Sequence, residues 1–161
     1  MILNLSLLFS FLRLLSIFVD VLKVAKTLTF ETSLISLSML LKFDSFEIKL
    51  NLNNSQTALK LAKLSSFKAQ INTWGEEIYF ETANLGIKPD KNARDIVTFG
   101  EVAYWCEGNS IAIGFGKTPV SIGNEIRLVS KVNIFATFNA SSKILNNLKK
   151  LSNNDKLSVI I

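Results

Sequence analysis

Between residues 39 and 138, apolar side chains return at every second position in run after run. That rhythm restricts the chain to an architecture of many short strands, each with one face turned to a core. Phe46, Ile48, Leu50 and Leu52 alternate with Glu47, Lys49 and Asn51. Ile78, Phe80 and Thr82 alternate with Glu77, Tyr79 and Glu81. Antiparallel sheets show this pattern because one face packs and the other meets water.

Turn residues pair the runs. Leu40–Phe43 and Phe46–Leu52 flank Asp44-Ser45, and Lys68–Thr73 and Glu77–Thr82 flank Trp74-Gly75-Glu76. Glu101–Trp105 and Ser110–Phe115 surround Cys106-Glu107-Gly108-Asn109, and Ile126–Val129 and Val132–Phe138 complete the set. A short helix is expected over Gln56–Ser65, where Asn53, Asn54 and Ser55 supply capping oxygens. Asn84–Gly100, with Pro89, reads as a long connection. Many strands, one helix and frequent turns point to a sandwich or a small barrel.

Composition removes whole classes of function. A chain of 161 residues allows one domain with extensions. It has no histidine, which excludes Ser-His-Asp and Cys-His catalysis. One cysteine, Cys106, cannot form an intramolecular disulfide, which fits a reducing compartment. No residue near it in sequence would activate the thiol. With no Asp-rich loop and too few thiolates and imidazoles, neither a metal site nor a cofactor is expected. Much of the net charge of +5 comes from Lys143, Lys149, Lys150 and Lys156 near the C-terminus, so no basic face for nucleic acid is expected.

The two ends differ from the middle. Residues 1–38 are rich in Leu, Ser and Phe. Arg13 and Asp20 interrupt the run of about 20 apolar residues that a membrane span needs. Leu5, Leu8, Leu12, Leu15 and Val19 recur at helical spacing, while Leu7, Phe9, Phe11 and Leu14 make such a helix apolar nearly all round. Three readings of this extension stay open: a start assigned upstream of the working protein, a membrane or surface anchor, and a packed helix. Residues 139–161 read as a basic, loosely held tail, with Ile144, Leu145, Leu148 and Leu151 as a short apolar stripe.

Three blocks carry a family resemblance. The first is Asn72-Thr73-Trp74-Gly75 with Glu77-Ile78-Tyr79-Phe80. The second is Gly100, Val102, Tyr104-Trp105 and Gly108, continuing into Phe115-Gly116-Lys117-Thr118-Pro119. The third is Gly123, Glu125-Ile126-Arg127 and Val132-Asn133. In order and spacing they resemble the small cyclophilin-like β-barrel proteins of bacteria and archaea. The chain departs from that pattern at Cys106-Glu107 and at Gly114–Pro119. The resemblance implies a mainly β fold: a closed, antiparallel, cyclophilin-like barrel over residues 39–138 with one short covering helix.

The resemblance also frames the function. The leading expectation is a binding module, non-catalytic or weakly catalytic, taking a small molecule or an extended, proline-containing peptide. Its pocket is expected near Trp74, Glu77, Tyr79, Tyr104, Phe115 and Arg127, where aromatic and polar groups would converge. The rival is a peptidyl-prolyl isomerase. Cyclophilins proper use an arginine to address the prolyl amide, and Arg127 is the arginine inside a family block. A third reading, a membrane-tethered interaction protein, depends on residues 1–38. The expected location is the cytoplasm, or a membrane surface if that extension anchors the chain.

Overall fold

The alternating runs close on themselves. The computed structural model describes residues 13–23 and 38–161, and the contacts divide the chain into two units, Met1–Ser36 and Leu37–Ile161. In the second unit the strands are β1 (Ser38–Phe43), β2 (Glu47–Leu52), β3 (Phe67–Gln70), β4 (Asn72–Thr73), β5 (Glu77–Glu81), β6 (Arg94–Val97), β7 (Glu101–Trp105), β8 (Ser110–Gly114), β9 (Ile126–Phe138) and β10 (Lys156–Ile160).

Nine of these run in the order β3-β10-β1-β2-β9-β7-β8-β5-β4. The two ends of that order, β3 and β4, are separated in the chain by Ile71 alone. One bent stretch therefore pairs with β10 through its first half and with β5 through its second. The sheet becomes a ring of antiparallel staves, the closed barrel that the alternation and the family resemblance imply. Closure leaves most staves paired on both sides, which limits the open edge that could recruit other chains.

The inward set of each run forms one core. Leu41, Ile48, Leu50, Ile71, Ile78, Phe80, Val102, Tyr104, Ile111, Ile113 and Phe135 are buried within it. Each such side chain contributes about 1.5–3 kcal/mol by leaving water.

Helix α2 (Gln56–Leu61) adds Ala58 and Leu61 to this core. Its N-cap is Ser55, whose Oγ accepts the Ala58 N–H at 3.1 Å. It is shorter than the expected Gln56–Ser65, because the chain then tightens into i→i−3 bonds, Lys63 to Lys60 and Leu64 to Leu61, before β3.

Two expectations are corrected. The domain does not end at residue 138, and residues 139–161 are not a loose tail. Helix α3 (Ser142–Leu148) buries Leu148 in the core, and β10 is hydrogen-bonded between β1 and β3 with Leu157 and Val159 inward. Without β10 the ring has a gap. The expected connection Asn84–Gly100 also contains a strand, β6, which pairs with the first half of β9.

β9 is one continuous strand rather than two. Its second half runs between β2 and β7, while its first half reaches out with β6 as a two-stranded flap. The register with β7 shifts at Phe135, a β-bulge that bends the strand. Asn53 fits the bulge: its backbone N–H donates to the Phe135 carbonyl and its Nδ2 to the Ile134 carbonyl, both at 2.9 Å.

In the first unit, residues 13–23 form a helix, α1, as the extension was expected to do. Its large apolar side chains, Leu14 and Phe18 among them, are exposed. The rest of the 1–38 extension lies outside the described residues. No helix among the described residues is long and apolar enough to cross a membrane.

Candidate functional site

The six side chains expected to line one pocket lie in four places. Tyr104 and Phe115 face the barrel interior and belong to its core. The Tyr104 hydroxyl lies 3.4 Å from Thr82 Oγ1. Glu77 and Tyr79 lie on the outer face of β5, since Ile78 and Phe80 point inward. Trp74 sits in the turn before β5, with its N–H on the Glu77 carbonyl at 3.0 Å. Arg127 is on the flap, where Glu125 and Asp95 hold its guanidinium.

The family blocks meet in space for a structural reason. Gly75 has φ +65°, and a Cβ there would lie 2.7 Å from the Lys117 carbonyl oxygen and 2.9 Å from Thr118 Cα. A glycine is required twice over, by the left-handed backbone and by the close approach. Next to it, Glu76 lies over Gly116 and pairs with Lys149 at 2.7 Å. Hydrogen bonding to Lys149 holds the Glu76 carboxyl below its usual range.

Under the flap, the outer face of β5, β8 and β7 is floored by small residues. Ala103 and Ala112 lie opposite each other, and Gly114 lies opposite Glu77. A Cβ on Gly114 would come within 2.5 Å of Ile126 Cγ2, so the flap sits directly on the strand. Val97, Leu128 and Val132 fill this second, smaller core, and Tyr79 meets Trp105 edge-on at 6.1 Å.

Glu77 is caught beneath this cover. It is 6% exposed, and its Oε2 has no hydrogen-bond partner among the described residues. Burial pushes its carboxyl up to about 7. Desolvation penalises the charged form when no donor compensates. Burial also pushes the Cys106 thiol up, to about 11, with Glu107 and Asp90 adding to the effect. Such a thiol is a poor nucleophile at neutral pH.

A large opening lies elsewhere, at the seam of the barrel. β3 is laddered to β10, but the ladder to β5 begins only at Asn72. Ile71 directs its backbone the other way: its N–H donates to the Asp155 carbonyl at 2.9 Å, and its carbonyl accepts from Asn154 at 2.8 Å. Near this bend lies a cleft of about 810 Å³ bordered by β1, β3, β5 and β10. None of the six expected residues lines it.

Its walls are polar. Lys42, Ser158 and Lys68 stand in one cross-strand row, since Lys42 pairs with Ser158 and Ser158 with Lys68. Lys156 lies two residues along β10 on the same face, opposite Gln70. Asn72 and the carboxylates Asp44 and Glu81 also line the cleft. Sequence reasoning missed this site because its lysines come from three distant runs that only strand register brings together. The available signal was the alternation Lys156-Leu157-Ser158-Val159, which marks a strand inside the supposed tail.

A second, smaller cleft of about 280 Å³ lies where the 87–92 segment meets α2. Asn133 braces it from below. Its Nδ2 donates to Thr57 Oγ1 and to the Lys88 carbonyl, and its Oδ1 accepts from the Asp90 N–H, each at 2.9 Å. Asn133 is fully buried and satisfied, which suits a structural brace better than a ligand contact.

The comparisons with known proteins agree with this architecture. The model of the family described as cyclophilin-like matches residues 37–160. The chain belongs to the cyclophilin-like family. Its barrel is similar to the solution structure of the hypothetical protein AF2241 from Archaeoglobus fulgidus, with 30% identity and a TM-score of 0.63, over 78% of this chain and 95% of that one. It is also similar in fold to McbB, solved in complex with tryptophan, at 10% identity and a TM-score of 0.55, over 76% of this chain and 44% of McbB. None of the curated proteins matches it. The family match runs through β10, in keeping with the strand's place in the ring.

Proposed function

We propose that this cyclophilin-like protein is a binding module that holds a small polar ligand in the cleft at the barrel seam. One observation carries the reading. The cleft has the volume of small-molecule sites, and its side chains Lys42, Lys68, Lys156, Gln70, Asn72 and Ser158 have no hydrogen-bond or ion-pair partner among the described residues. Arg127 with Glu125 and Lys149 with Glu76 show the opposite case, charges already engaged within the protein. Unused donors and acceptors gathered in a concavity are groups a ligand can satisfy.

The isomerase alternative would require the Arg127 guanidinium to leave two carboxylates before it could address an amide. The proposal includes a cytoplasmic location, with which the free thiol of Cys106 is compatible.

The test is amide-resolved NMR of the full chain against a panel of small polar metabolites and proline-containing peptides. Perturbation of amides in β1, β3 and β10 is expected from at least one small molecule. A response confined to the turn at Trp74 and the flap around Arg127 would move the site away from the seam.

A further inference from the structure

We infer that the ligand of the seam cleft carries a phosphate monoester, which the ammonium groups of Lys42, Lys68 and Lys156 receive around the Ser158 hydroxyl. This rests on the reading of the seam cleft as the binding site.

The geometry comes from the register. Lys42 and Lys68 flank Ser158 on the two neighbouring strands. Directly opposed residues place their Cβ atoms about 4.5–5.5 Å apart. Lys156 follows on the same face of β10, two residues away. Leu157 and Val159 point inward, so Lys156 and Ser158 must point out. Three long cationic side chains thus surround one hydroxyl, and all three can swing their ends over it.

The ammonium groups are open although carboxylates stand nearby. Asp44 and Glu81 line the same cleft, yet neither pairs with Lys42, Lys68 or Lys156. Three ammonium groups with no ion-pair partner among the described residues, set around a hydroxyl donor, suit a compact dianion. A carboxylate is planar and is best matched by the fork of an arginine, whereas lysine binds phosphate as a point charge. The cleft contains no arginine.

The backbone adds a donor. Ile71 gives its N–H to the β10 side. Along an antiparallel strand this direction alternates from one residue to the next. The N–H of Ala69, two residues back, therefore also faces β10, and the N–H of Lys68 turns toward the seam. Glu81 stands on β5, across the seam from β3, and Asn72 begins β4 just past the bend. There Glu81 repels the phosphate and accepts from hydroxyl or amino groups on the rest of the ligand, which fixes the ligand's direction. The volume of about 810 Å³ leaves room for such a body beyond the phosphate.

The test is a set of NMR titrations of the full chain with inorganic phosphate, glucose 6-phosphate, glucose and gluconate. Glucose 6-phosphate is expected to shift the amides of Lys68 and Ser158 and to bind at least ten-fold more tightly than gluconate or glucose. Lys68→Ala and Lys156→Ala should each weaken it about ten-fold while leaving the rest of the spectrum intact, since both side chains are exposed. The inference is overturned if gluconate binds as well as glucose 6-phosphate, or if Lys63, Lys91 and Lys150 respond as strongly as Lys68. If glucose binds at the seam and the phosphates do not, the phosphate inference falls and the cleft reading stands. If no probe or metabolite perturbs the seam, both fall.

Discussion

The barrel has two contrasting outer faces. On β5, β8 and β7 that face includes the small residues Ala103, Ala112 and Gly114 beside Tyr79 and Trp105, and the flap of β6 and β9 packs on it. On β1, β10 and β3 the outward residues include Lys42, Lys68, Lys156 and Ser158, which line the open cleft. The same staves build both faces. Side-chain size and charge decide which face becomes a second core and which stays open to a ligand. The covered face also traps a carboxyl, Glu77, that would be readily solvated on the open one.

The sharpest way to break this comparison is to remove one face entirely. A chain ending at Phe138 keeps the strands of the covered face but loses β10, and with it the open face and the closure of the ring. We expect no cooperative unfolding transition from it in urea, measured by circular dichroism. A cooperative transition would show that β10 is dispensable.

Glu77 probes the covered face by pH. Its carboxyl lies at about 7 in the folded protein, against an ordinary value of 4.5. Between those values the unfolded chain ionises Glu77 while the folded chain keeps it neutral. Stability is therefore lost as pH rises through that window and levels off above it. Glu77→Gln should thus stabilise the protein by about 3 kcal/mol at pH 8 relative to its effect at pH 4. Denaturant midpoints at the two pH values measure this. An equal effect at both would mean that Glu77 is solvated.

Gly114→Val tests how closely the flap sits. The new side chain must displace Ile126, with Val97 and Leu128 close behind, and the cost should be about 2 kcal/mol. The matching change on the open face, Ser158→Val, meets no cover and should alter stability by less than about 0.5 kcal/mol. Similar losses from both changes, read from urea midpoints, would erase the distinction between the faces.

The smallest effect is expected at the lysines. Lys42→Ala should leave the unfolding midpoint almost unchanged, because the ammonium has no ion-pair partner among the described residues to lose. A loss above about 1 kcal/mol would reveal an interaction within the protein.

How much of this was legible in the sequence follows from what each part depends on. Strands such as Glu47–Leu52 were legible because alternation is local, and the family blocks pointed to a barrel. β6 was hidden, since its four residues begin with the charged pair Arg94-Asp95 and lie in a ribbon rather than a wall. β10 was hidden by its polar surroundings. The site depends on register across the seam, which no local pattern encodes. Aromatic residues drew attention to Tyr104 and Phe115, but these fill the core, as large apolar side chains in a small barrel generally do.

The bend at Ile71 has a consequence for how the molecule is made. β10 must enter between β1 and β3, partners roughly 120 and 90 residues earlier in the chain. Contacts that distant are slow to form, because the loop entropy is lost before the pairing rewards it. Until β10 arrives, β1 and β3 each present an unpaired edge. Lys42 and Lys68 stand on those two strands. Charge at an open edge discourages pairing with another chain. The lysines assigned here to a ligand in the finished barrel would then also serve the unfinished one, by keeping nascent copies apart while the ring waits for its last stave.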